Sequence, residues 1–315
     1  MAEYQFEVTL NEHGQRLDKM LARRLDMAID GGFSRNKTKK LLDAEKVVYN
    51  GGVERFGSRS VEYDDIIEVD VDASIVGSPK SHENVELNAG DILWHDDLVM
   101  VIDKPSGLPS QKTRDPNRDY AVAAVQRYLA RHGQDDPYLA LHHRLDVGTS
   151  GAMVFACDER ANQGLSEAFD ERRVHKTYRA IARRTSSDPP RDVGQSWVVE
   201  NHLTQRRSAS TTRQVAVHSG GDYARTEFEI RRRAGEVFDV VARPTTGRRH
   251  QIRVHLADSG LPIVGDERYG GVDRLDGEDV ERMMLHAWRL RLDHPVYDTE
   301  IDVTSPMPET MEKLV

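Results

Sequence analysis

The 315 residues exceed what one ordinary domain needs, and 38% hydrophobic with 31% charged residues is the make-up of globular folding units, two by length. No stretch approaches the about 18 apolar residues of a membrane span, and the start MAEYQFEVTLNEHGQ lacks the basic end and apolar run of a secretory signal, so a cytoplasmic, non-membrane protein is expected. A single cysteine, Cys157, excludes an internal disulfide and any multi-cysteine zinc site, and the formal net charge of −9 argues mildly against a polyanionic partner.

Local charge matters more than the total. Residues 16–26, RLDKMLARRLD, carry Leu17, Met20, Leu21 and Leu25 on one helical face with Arg and Lys on the other. After Gly31-Gly32, Ser34 is a plausible N-cap for a second helix, RNKTKKLLDAEK; VVYNGG then reads as a strand entering a turn at Asn50-Gly51. Between Arg16 and Lys46 nine basic residues face five acids, so a chain that is acidic overall still offers phosphate-binding faces. SVEYDDIIEVDVD, residues 60–72, closes this module with strand-like alternation. The expected division is a small domain over 1–75, a linker over 76–90 rich in turn residues, and a main domain over 91–315.

In the main domain, ILWHDDLVMVIDKP is an apolar strand run broken by Pro105 and Gly107, and residues 119–131 look helical. ALHH and GAMVFAC read as strands around HHRLDVGTSG, residues 159–170 as a helix, and HKTYRAIAR as a strand. DYARTEFEIRRR, EVFDVVARP and LHAWRLRLDHP add further strands. Strands and helices without regular alternation point to an α+β fold with a mixed, largely antiparallel sheet.

HHRLDVGTSG concentrates polar chemistry. Taken alone, Asp146 before Gly148-Thr149-Ser150-Gly151 is best read as an Asx-type turn. A metal site built from His142, His143 and Asp146 is disfavoured, because neighbours on a strand point to opposite faces, and His250 and His255 are five apart. In HKTYRAIA, alternation places Lys176, Tyr178 and Ala180 on one face. In TTGRRHQIRVHLADSG, a Gly turn leads to Arg248, Arg249, His250 and Arg253 with no acid before Asp258. Ile252, Val254 and Leu256 allow a strand, but the stop signal Ser259-Gly260-Leu261-Pro262 favours a helix.

HRLDVGTSG, KTYRA and TTGRRHQIRVHL, in this order and spacing, resemble the RluA-type family of RNA pseudouridine synthases. IDKPSGLP, ARTEF, GLPIVGDERYG and LHAWRLRLDHP extend the likeness, and residues 11–72 resemble an S4 RNA-binding module. The resemblance implies the pseudouridine synthase fold and isomerisation of uridine in RNA, without metal or cofactor, most naturally by a monomer on large-subunit ribosomal RNA, with tRNA as the alternative. It assigns Asp146 as the catalytic carboxylate, Arg253 as its ion-pair partner and Tyr178 as the residue against the uracil. Arg144 is assigned to the gap left by a flipped nucleotide. Lys176, Arg248, Arg249 and His250 are expected to contact RNA or support the motifs, and Arg16, Arg35, Lys37 and Lys40 to hold phosphates. A non-catalytic RNA-binding or ribosome-assembly protein is the competing reading.

Overall fold

The apolar run Ser150–Ala156 has no polar face to offer water, and every residue in it is buried. Ala152, Val154 and Ala156 point to one cluster of the core, Met153 and Phe155 to another, as a strand covered on both faces requires. The computed structural model built around it describes residues 2–10, 12–28, 33, 35–71, 84–113, 115, 117–185, 192–207, 212–217, 220–275 and 277–315. It divides into two units, Met1–Glu83 and Asn84–Val315.

In the first unit, β1 (Ala2–Glu7), β2 (Val47–Tyr49), β3 (Gly52–Val53) and β4 (Ile66–Val71) form a sheet in the order β1-β4-β2-β3. Helices α1 (Leu17–Ala28) and α2 (Arg35–Asp43) bury Leu17, Met20, Leu21, Leu25, Leu41 and Leu42 with Val47, Ile67 and Val69. The expected strand over 60–72 is shorter, because Asp65 turns the chain: its carboxylate takes hydrogen bonds from Tyr49 Oη and from Asn50 Nδ2, the latter at 2.7 Å. The expected cap Ser34, and residues 76–83 of the expected linker, lie outside the described residues. Residues 84–90, the remainder of that linker, belong to the second unit, where Leu87 is buried in the core.

Much of the basic surface of the first unit is engaged. Asp18 receives Arg16 at 3.0 Å and Arg35 at 2.8 Å, and the buried Glu12 receives Arg23 and Arg24 at 2.6 and 2.7 Å. Lys37 lies 5.9 Å from the centre of the Phe33 ring, and Lys40 is exposed.

The second unit holds β5 (Ile92–His95), β6 (Val99–Lys104), α3 (Ala121–Arg131), β7 (Ser150–Ala156), α4 (Glu159–Asp170), β8 (His175–Arg183), β9 (Ser196–Arg207) and β10 (Thr212–Val217). It continues with β11 (Asp222–Ala234), β12 (Val237–Pro244), α5 (Gln251–Asp258), the short pair β13 (Arg274–Leu275) and β14 (Glu278–Asp279), β15 (Leu285–Asp293), β16 (Glu300–Thr304) and α6 (Glu309–Glu312). The large sheet runs β10-β9-β11-β12-β8-β15-β7-β6-β5, with β16 beside β15. Among the described residues only β15 and β7 pair in parallel, so the fold is α+β with a mixed, largely antiparallel sheet. ALHH is not a strand. Ala140 alone bridges Ala156, and the chain leaves the ladder before His142.

Register aligns five residues across the sheet: Ala242, Tyr178, Ala287, Gly151 and Lys104, contributed by β12, β8, β15, β7 and β6. Paired residues share a face, so the two long side chains of this row stand on either side of an alanine and a glycine. Gly151 is required there. Its φ is +111°, and a Cβ would lie 2.3 Å from the Ala287 carbonyl oxygen. Gly107 also has positive φ, +89°, but nothing lies within 4 Å of an added Cβ. Gly151→Ala should therefore cost about 3 kcal/mol or more from clash plus strain, against about 1 kcal/mol for Gly107→Ala. Thermal denaturation of both variants checks this, and equal melting temperatures would contradict the close approach.

Candidate active site

Asp146 sits on the loop between the Ala140 bridge and β7, and this loop is fixed through its main chain. Ser110 Oγ donates to the Leu145 carbonyl at 2.7 Å and accepts the Leu145 N–H at 3.0 Å. Gly107 N–H donates to Val147 O at 2.7 Å, and Ser106 Oγ to Gly148 O at 2.8 Å. The turn after β6, Pro105 to Ser110, thus holds the loop from one side. The loop closes on itself when Thr149 N–H reaches Asp146 O at 3.0 Å. The Asx turn expected of this segment is replaced by a main-chain turn, which leaves the Asp146 carboxylate for other partners.

Those partners come from α5 and the segment after it. Arg253 Nη1 donates to Asp146 Oδ2 at 2.9 Å, while Nε and Nη2 donate, both at 2.7 Å, to the two oxygens of Asp266. Asp266 is only 3% exposed, so the bidentate pair is screened from water and fixes the guanidinium plane. Burial opposes the charge on Arg253, but the hydrogen bonds and charge of Asp266, then of Asp146, more than offset it and raise its pKa. Arg253 also lies over the Tyr269 ring, 5.0 Å from its centre.

The loop before α5 is organised by Gln251. Its Oε1 accepts from Thr246 Oγ1 at 2.7 Å and from Arg248 N–H at 3.0 Å, and its Nε2 donates to Arg225 O and Thr226 Oγ1, both at 2.9 Å. All four amide hydrogen-bonding positions are thereby used, as a 4%-exposed glutamine demands. His250 precedes the helix in a left-handed conformation, φ +55°, with Nε2 3.9 Å from Asp146 Oδ1.

Tyr178 completes the group. Burial, then the charge of Asp146, raises its phenol pKa, so it stays protonated near neutral pH. The structure therefore brings together Asp146, Arg253, His250 and Tyr178. The remaining candidates are elsewhere. Lys176 lies 5.6 Å from the Phe169 ring centre, and burial lowers its pKa. Arg248 Nε donates to Tyr223 O at 3.1 Å, Arg249 borders a shallow polar cleft with Gln205, Gln214 and Asp222, and Arg144 is exposed. Arg16, Arg35, Lys37 and Lys40 belong to the first unit.

The conspicuous His142-His143 pair packs differently from the strand argument. Both rings lie on Phe169, at 6.4 and 4.9 Å between centres, because the segment is not a strand and alternation does not separate them. His143 Nε2 accepts the Val154 N–H at 3.0 Å, and burial, then Lys176 and His142, lowers its pKa to about 3. His255 is buried between Thr226 Oγ1 and Asn201 Oδ1. Among the described residues no group of three or more His, Cys, Asp or Glu is placed to hold a metal ion.

Three residues near Asp146 were not singled out from sequence: Asp266, Tyr269 and Lys104. Lys104 ends an apolar strand, is fully buried, and donates to Pro105 O at 2.9 Å and Leu108 O at 2.8 Å, bracing the turn that holds the Asp146 loop. A lysine closing VMVIDK was the available signal. Burial, then the charge of Arg282, lowers its pKa to about 7 against the opposing pull of Asp146 and Asp103.

The sequence profile of the RNA pseudouridylate synthase family matches residues 98–258. Ribosomal large subunit pseudouridine synthase D of Pasteurella multocida is 29% identical, covering 98% of this chain and 93% of its own, and that of Yersinia pestis is 30% identical over 98% and 92%. The solved human RNA Pseudouridylate Synthase Domain Containing 4 is 27% identical, covers 70% of this chain and 90% of its own, and superposes with a TM-score of 0.54.

Lys104 gives a pH test. Its pKa is lower folded than unfolded, so between about pH 7 and 10 the unfolded chain binds the extra proton and stability rises with pH, by at most about 1.4 kcal/mol per unit; below that window the burial penalty is felt in full. The stability of the wild type minus that of Lys104→Met should therefore grow from about pH 7 to 9 in denaturant titrations. A flat difference would contradict a neutralising buried lysine.

Proposed function

The chain belongs to the RNA pseudouridylate synthase family, an isomerase family acting on RNA, and from that premise we propose that it converts uridine to pseudouridine in large-subunit ribosomal RNA with Asp146 as the catalytic carboxylate. The observation that carries the assignment of Asp146 is the hydrogen-bonded chain from Asp266 through Arg253 to its Oδ2. A fixed guanidinium gives the carboxylate a charge-assisted hydrogen bond that holds it in one place, as a nucleophile or a base needs. The ribosomal target is supported by relatives named for large-subunit synthases that align with 98% of the chain.

In the reaction the N1–C1′ bond breaks with its electron pair passing to N1. The freed uracil turns, C5 bonds to C1′, the proton leaves C5 and N1 gains one. Asp146 acts at the sugar side of this exchange, as nucleophile or as base, and its charge offsets positive character at C1′. Tyr178 offers a ring face to the uracil. Its raised pKa favours this packing role over proton removal by a phenolate. Arg144, exposed on the Asp146 loop, would enter the stack that the flipped nucleotide vacates, a displacement costing about a few kcal/mol. The first unit serves as an S4-like RNA-binding module, with Lys37 and Lys40 on α2 among its phosphate contacts.

The test is to map pseudouridines across total RNA in cells with the protein, without it, and with Asp146→Asn. Specific large-subunit sites should vanish in both the deletion and the variant. Loss of tRNA sites instead would overturn the ribosomal target, and unchanged maps in all three would overturn the assignment of activity to this chain.

A further inference from the structure

Resting on the reading of Asp146 as the catalytic carboxylate, we propose that His250 is a positioning residue for it, held as the neutral Nε2–H tautomer by Tyr269, whose hydroxyl is in turn anchored by the main chain of β10. The two oxygens of Asp146 are treated differently. Oδ2 takes the Arg253 hydrogen bond at 2.9 Å, whereas Oδ1 faces His250 Nε2 at 3.9 Å. Oδ1 is the less engaged oxygen and the one with room to reach a ribose. Its orientation depends on what the imidazole presents to it.

Two constraints select the same tautomer. Tyr269 Oη accepts the Gln214 N–H at 3.0 Å and lies 2.8 Å from His250 Nδ1. A phenol has one proton, and with Gln214 already donating to the oxygen, that proton is directed to Nδ1, which leaves the imidazole proton on Nε2. From the other side, an unprotonated Nε2 would turn its lone pair toward the Asp146 anion, whereas an Nε2–H turns a positive dipole toward it. The doubly protonated ring is disfavoured as well. Burial lowers the His250 pKa to about 4; Asp146 opposes this, and Arg253, Arg249 and Arg268 add to it. The other groups facing this cluster, Asp266 and the Tyr269 phenol, are bound to Arg253 and to Gln214 and His250.

The backbone supports a positional role. His250 occupies the left-handed region at the start of α5, a conformation that is strained for a residue with a Cβ and that recurs where side-chain direction matters. Gln214 lies on β10, the terminal strand of the large sheet, and its N–H points away from β9 to the hydroxyl. The tautomer of His250 is thereby tied to the placement of the β9–β10 hairpin.

The experiment is nitrogen-15 NMR of histidine-labelled full-length protein, with the His250 signals assigned by their loss in His250→Gln. The expected spectrum is a neutral Nε2–H imidazole across about pH 6 to 8, and Tyr269→Phe should convert it to a mixture of tautomers. In single-turnover assays on the RNA identified by mapping, His250→Ala and Tyr269→Phe should lower the rate constant about tenfold, the scale of one lost dipole contact with a partly buried charge, with RNA affinity unchanged. His250→Gln, which keeps an amide donor, should recover most of the rate. An Nδ1–H tautomer or an imidazolium at neutral pH, or a His250→Ala rate equal to wild type, would overturn the proposal. Since the tautomer is read without turnover, its failure is distinct from that of Asp146, which is judged by Asp146→Asn.

Discussion

The arrangement around Asp146 depends on a single constraint: a guanidinium buried between two carboxylates must satisfy both. Arg253 spends two donors on Asp266 and one on Asp146. Burial of Asp266 makes its end of the chain the fixed end, because an unpaired charge there would be far more costly than one at the partly exposed Asp146. The direction of Nη1, and with it the place of the Asp146 carboxylate, follows from that asymmetry.

Several parts of the second unit bear on this hydrogen-bonded chain. Helix α5 presents Arg253 because Gln251 ties the preceding turn to β11. The Asp146 loop cannot drift, since the Pro105–Ser110 turn grips it through four main-chain or hydroxyl hydrogen bonds, and Lys104 in turn grips that turn. Across the sheet, Ala287 and Gly151 keep the row between Tyr178 and Lys104 low. This scaffold holds the Asp146 carboxylate still near a protonated phenol.

The sequence disclosed the local parts of this. The α+β class followed from strands and helices without regular alternation, the helix within TTGRRHQIRVHLADSG from its stop signal, and Asp146, Tyr178 and Arg253 stood in motifs whose order resembled the family. Two things were hidden. ALHH has the composition of a strand, yet its pairing stops at Ala140, and so the alternation used to separate His142 from His143 does not operate. Asp266 and Tyr269 lacked any local mark of importance, and Lys104 had only its place at the end of the apolar run VMVIDK. Asp266 and Tyr269 act through contacts with residues well separated in the chain, Arg253, His250 and Gln214, and no periodicity encodes such contacts. The basic helices of the first unit carry ion pairs that a charge count does not show, since Asp18 and Glu12 each engage two arginines.

The central claim is that Asp266, which lies behind Arg253, sets the chemistry by fixing that arginine. The direct measurement is single-turnover pseudouridine formation by Asp266→Asn, with its melting temperature recorded alongside. The account predicts a folded protein whose rate constant falls about tenfold to a hundredfold while RNA affinity is retained. A folded Asp266→Asn variant reacting at the wild-type rate would contradict it.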